Sequence, residues 1–171
     1  MASLTEELID VLEKEDAVYK QLIPITEEKT KVIIKNDLDA LQAITDKEQD
    51  AVERLSALEK KRGEIMINMG TVLNRDPKTL KLRTMVELLA KRPAEQKRLA
   101  VLHDSLTAQI KHLAALNDKN KMLIDQSLEM IQFEMNLIQN TRMVPGTGNY
   151  TRGASTVDMP IAGTGMFDAK Q

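Results

Sequence analysis

At 171 residues with a formal net charge of −2, the chain is long enough for one domain with a core and too short to need two. Charged residues make up 29% of it, aromatics only 2%, and there is neither Trp nor Cys. This excludes disulfides, Cys-ligated zinc and thiol chemistry. It also argues against a sandwich or barrel, and gives no electrostatic reason to expect nucleic acid or an anionic membrane surface.

The first residues, Met1-Ala2-Ser3-Leu4-Thr5-Glu6-Glu7, carry no basic segment and no apolar core, so they do not read as a signal peptide. No apolar run approaches the roughly 18 residues that a membrane span needs. The expectation is a cytoplasmic protein without membrane insertion.

Ser3 followed by Glu6 is a capping box, with Glu6 and Glu7 placed where the helix dipole favours negative charge. Leu4, Leu8, Val11, Val18, Leu22, Ile25 and Val32 then recur in steps of three, four and seven, and Leu12, Tyr19 and Ile33 widen the stripe. Glu15 and Lys29 fall on the same seam, so it is not a clean leucine zipper. Pro24 lacks an N–H and its ring meets the preceding turn, which should kink or split the helix near Gln21 at about 3 kcal/mol. The reading is one kinked helix over about 4–35.

Lys35-Asn36-Asp37 breaks that helix, and Asp37 is a good N-cap for the next. Leu41, Ile44, Val52, Leu55, Leu58, Ile65, Met66, Met69, Val72 and Leu73 carry a second helix over 38–73. So short a connection makes the two antiparallel. Gly63 and Gly70, seven apart on one face, are expected to let another helix approach closely, with a hinge as the alternative.

Asn74-Arg75-Asp76-Pro77 ends the second helix. A short amphipathic helix is predicted over 79–90, built on Leu80, Met85, Leu88 and Leu89. Pro93 is then well placed as the first residue of a long fourth helix. That helix, about 94–141, has no internal Gly or Pro and carries Leu99, Leu102, Leu106, Ile110, Leu113, Leu116, Leu123, Ile124, Leu128, Ile131, Met135 and Ile138 at helical spacing. At about 1.5 Å per residue it would span about 70 Å, against about 48 and 54 Å for the first two. Unless the short helix covers the difference, part of its apolar face, from about Asn117 to Ile138, lacks a partner within the chain.

After Ile138 the periodicity ends. Residues 143–171 hold five of the seven glycines and only four charged residues, and read as a flexible tail that nevertheless contains Tyr150 and Phe167. The fold class is therefore all-α. It is an elongated antiparallel helical bundle or coiled coil of three long helices plus one short helix over 1–142, followed by the flexible C-terminal tail.

Catalytic chemistry has no foothold in this pattern. His103 and His112 are nine residues apart, about 900° on a helix, and so lie on opposite faces. Neither has a Glu three residues earlier, as carboxylate-bridged metal bundles require. No Gly-rich phosphate loop precedes a helix. The reading is no enzyme, no metal and no cofactor. What is present is a helical stripe bearing Asn117, Asn120 and Ser127, where a buried Asn either fixes register or offers hydrogen bonds to a partner helix. Six of the ten methionines also fall from Met122 onward (Met122, Met130, Met135, Met143, Met159 and Met166), a residue type suited to adaptable apolar binding surfaces and equally to filling a core.

Three stretches in order resemble the FlgN family of flagellar export chaperones: the first turn, Lys35-Asn36-Asp37-Leu38-Asp39-Ala40-Leu41; the segment from Asn117 to Ile131; and Asn149-Tyr150-Thr151-Arg152-Gly153. The likeness covers about 4–155. The tail departs from it in lacking a Gly directly after Tyr150. The resemblance implies a cytoplasmic chaperone of the flagellar type III export system. Such a protein holds the C-terminal helical segments of hook-associated proteins one and three and delivers them to the export gate. Carried onto this chain, it implies client contact through Asn120, Leu123, Ile124, Leu128, Ile131, Met135 and Ile138, and contact with the export gate through Tyr150. The alternative is a structural coiled coil acting by self-association. Whether the free chain is a monomer or a homodimer stays open at this point.

Overall fold

The computed structural model describes residues 3–142; Tyr150 and the rest of the predicted tail lie outside the described residues. The chain divides into two units, Met1–Gln132 and Phe133–Gln171. Among the described residues there is no strand, and no helix is long and apolar enough to cross a membrane.

Helix α1 spans Leu4–Lys35 and α2 spans Leu38–Leu73. Local chemistry sets their ends. Ser3 and Glu6 close the capping box in both directions, the Glu6 N–H donating to Ser3 Oγ and the Ser3 N–H to Glu6 Oε2. Asp37 Oδ1 accepts from the Ala40 N–H at 3.0 Å and starts α2. Asn36 and Asn74 end the two helices in the left-handed region, φ 53° and 51°, a conformation Asn tolerates better than most residues. Pro24 does not split α1, which runs through it.

The connection from α2 onward is more broken than the periodicity predicts. In place of one helix over 79–90 there is a 3₁₀ turn, Pro77–Thr79, then α3 at Leu82–Leu88, then a second 3₁₀ turn, Leu89–Lys91. Asp76 accepts from the Lys78 N–H and from Thr79 through its backbone, which winds the first turn tightly and separates it from α3. Helix α4 begins at Pro93 and ends at Arg142.

In the first unit α2 runs antiparallel to α1. Lys29 pairs with Glu48, Arg54 donates to Gln21 and Arg62 faces Glu15. The two charged seam positions of α1 thus meet opposite charges on α2. Helix α4 runs parallel to α1: Arg98 with Glu13, Ser105 with Asp16 and Asn120 with Thr30 are separated by 85, 89 and 90 positions. One core joins Leu8 and Leu12 to Ile65, Met69, Met85, Leu99, Leu102 and Leu106. A smaller one holds Val18, Leu22, Ala51 and Leu55, with Leu58 and Leu113 against it. Each fully buried Leu contributes about 1.5–3 kcal/mol. Their concentration toward the N-terminal ends of α1 and α4 makes that end the anchor.

The two helical glycines behave differently from the expectation. A Cβ on Gly70 would meet Pro77 Cγ at 2.8 Å and Arg75 O at 2.9 Å, so the close approach it permits is to its own following turn and not to another helix. A Cβ on Gly63 would meet nothing within 4 Å. Gly63 borders open space.

Candidate docking surface on the last helix

The parallel register of α1 and α4 decides where α4 loses its neighbours. With an offset of about 90 positions, the end of α1 at Lys35 is level with about residue 125 of α4. Helix α2 begins at Leu38, beside that same end. Leu123 and Ile124, at that level, are half-buried. Leu128 and Ile131, just beyond it in the first unit, are 58% and 52% exposed. In the second unit, Met135 and Ile138 are 51% and 53% exposed. Exposed apolar groups at helical spacing invite another helix, since burying each adds about 1.5–3 kcal/mol.

Asn120 stands apart from the other implied contact residues. It is only 4% exposed. Its Oδ1 accepts from Thr30 Oγ1 at 2.6 Å and its Nδ2 donates to Thr26 O at 3.2 Å. Both polar ends are used within the chain, which is the register role weighed in the sequence. Asn117 is exposed, and Ser127 donates to Leu123 O on its own helix. The cluster around Asn120 sits just after Pro24, where Thr26 Oγ1 lies 3.0 Å from both Leu22 O and Glu48 Oε1.

Sequence periodicity passed over part of the exposed apolar surface. Met130 in the first unit, and Phe133 and Leu137 in the second, are all more than half exposed. Phe133 and Leu137 are four apart and share a face, about 200° from Met135 by helical geometry. Their four-residue spacing marks a second apolar face on this helix. Charge adds to the pattern: from Met122 to Thr141 the only charged residues are Asp125, Glu129 and Glu134.

The candidate polar groups elsewhere are structural. Asp16 binds Lys20, Ser105 and Gln109. Burial by itself would raise its carboxyl, but the hydrogen bonds from Lys20, Ser105 and Gln109, with the Lys20 charge, outweigh it and hold the group below the usual range. His103 lies beside Asp104 and His112 beside Glu27, and no three His, Asp or Glu side chains converge among the described residues.

A family model described as FlgN protein matches residues 1–157. The chain belongs to the FlgN family. Membership carries the role of a flagellar export chaperone. The match covers all three long helices and extends past Arg142 to the stretch holding Tyr150. No curated protein and no solved structure matches the chain.

Proposed function

We propose that this FlgN-family chain acts in the cytoplasm as the export chaperone for hook-associated proteins one and three, taking up their C-terminal helical segments on the apolar groups of α4. The observation that supports this reading is the exposure of Leu128 and Ile131 in the first unit, just past the level at which α1 ends, together with that of Met135 and Ile138 within the second. A client helix laid on these groups would remove them from water and would itself be kept from premature association. Leu123 and Ile124, half-buried, would form the inner edge of the contact. Asn120 contributes by holding α4 in register, and Tyr150 is the proposed contact with the export gate.

The test is co-expression capture of the two hook-associated proteins by the full chain and by Leu128→Asp/Ile131→Asp. Both replaced residues are exposed, so helicity by circular dichroism should be unchanged while capture falls by at least about 100-fold, the effect of two charges in an apolar contact. Unchanged capture would remove this face from the function. Loss of the client by Tyr150→Ala would argue against the gate role, which requires binding to persist while export fails.

A further inference from the structure

We propose that the chain covers the second apolar face at the end of α4, Phe133 and Leu137, with its own next segment, residues 147–152, seated by Tyr150 and Arg152. Phe133 and Leu137 are 67% and 53% exposed and share a face by their four-residue spacing. Met135 and Ile138, on the client stripe, lie on the other side of the same helix. A client helix seated on that stripe leaves Phe133 and Leu137 in water, so this end of α4 has apolar groups for a second occupant. Glu134, three residues before Leu137, stands at the edge of their face and forms no ion pair among the described residues.

The chain after Arg142 supplies an occupant of matching length and turn chemistry. Residues 143–152 lie outside the described residues and follow α4 directly. Val144-Pro145-Gly146-Thr147 places Pro and Gly at the two central positions of a type II turn, a pattern that reverses a chain. An extended segment returning from that turn covers about 3.3 Å per residue, against about 1.5 Å for the helix beside it. Three residues past Thr147, Tyr150 comes level with the last turns of α4 and lies over Leu137. Arg152 falls about 7 Å farther back, at Phe133 and Glu134. Alternate residues of an extended segment share a side, so Tyr150 and Arg152 meet the helix together and Thr151 faces water.

Charge selects the same occupant. Arg152 is the only charged residue from 143 to 157, and Glu134 the only one from 133 to 141. The guanidinium can pair with Glu134 while lying over the Phe133 ring. A second copy would bring to this face only another Glu134 and no cation. Covalent attachment by a short linker gives an effective concentration of about millimolar, enough to hold a contact of this small size. The gate contact proposed for Tyr150 would require its release from this face. The docking itself depends on neither that contact nor the client stripe.

The experiment is NMR on the isotope-labelled full chain, reading nuclear Overhauser cross-peaks between side chains. Cross-peaks are expected from the Tyr150 ring to the Leu137 methyls, with none to Met135 or Ile138, which are as near along the chain. Tyr150→Ala should shift the Phe133 and Leu137 signals and leave those of Met135 and Ile138 in place. Arg152→Glu should abolish the cross-peaks, and adding Glu134→Arg should restore them, a rescue that tethering alone does not give. Leu128→Asp/Ile131→Asp, aimed at the client contact, should keep every cross-peak, so failure of either site is seen separately. Contacts of Tyr150 with Met135 or Ile138, no cross-peaks at all, or no rescue by the charge exchange would each overturn the proposal. In a mixture of labelled and unlabelled chains, cross-peaks between the two kinds would make a second copy the occupant and would also overturn it.

Discussion

Thr30 on α1 donates a 2.6 Å hydrogen bond to Asn120 on α4, joining residues 90 positions apart in a buried seam. Asn120 returns a bond to the α1 backbone at Thr26 O. A slide of α4 by one turn would leave Asn120 buried without these partners, which is how a polar group in an apolar seam selects one register.

Replacing Asn120 by Ala should lower stability by about 1–2 kcal/mol in urea unfolding, since two bonds vanish while the single Thr30 hydroxyl proton turns to Thr26 O, 3.2 Å away. Thr30→Val should cost a similar amount. The double variant should lose less than the sum, and strict additivity would show that the two side chains do not act as a pair.

Pro24 denies the Lys20 carbonyl its helical N–H partner within α1. Pro24 is exposed, so Pro24→Ala restores that bond without disturbing packing. A gain of about 1–3 kcal/mol in urea unfolding is expected. A loss would mean that the local backbone set by Pro24 is needed to seat Thr26 and Thr30 under Asn120.

The two glycines of α2 should respond to Ala in opposite directions. Gly63→Ala meets nothing and gains about 0.5–1 kcal/mol from helix propensity. Gly70→Ala drives a methyl into the Arg75 backbone carbonyl and the Pro77 ring, and should destabilise despite the same propensity gain. Thermal melts of the two variants decide the point.

Asp16 should give stability a pH dependence of definite sign. Its folded carboxyl titrates below the ordinary value of 3.8, so the folded state binds its proton less readily than the unfolded chain does. The stabilisation is therefore full above that value and is lost as pH falls through the folded one. Asp16→Asn should lower stability at pH 7 by about 1.5–3 kcal/mol, the range for hydrogen bonds to a charged group. The gap from the parent chain should close in acid. A gap that stays constant from pH 7 to about pH 2 would assign the effect to packing around Ser105 and Gln109.

The extent to which structure could be read from sequence follows the range of the forces involved. The capping box at Ser3 and Glu6, the Asp37 cap and the Asn36 stop act over a few residues, and their meaning is complete in the local sequence. The all-α class and the antiparallel α1–α2 pair follow from them and from spacing. The region after Asp76 was less legible, because a 3₁₀ turn and a seven-residue helix are too short for periodicity to separate. At the candidate site, the apolar stripe on α4 could be read and the register role of Asn120 stood as one of two alternatives, which only its bonds to Thr26 and Thr30 decided.

By itself, then, the sequence determined the three long helices and the breaks between them, the absence of a thiol site and the likeness to FlgN, since each depends on neighbours within a turn or two or on motif order. Only the tertiary structure decided which parts of the α4 stripe face protein and which face water. That division comes from the register between α1 and α4, held by Arg98 with Glu13, Ser105 with Asp16 and Asn120 with Thr30. Periodicity marks a face on a helix; what lies against that face depends on side chains some 90 residues away meeting in space.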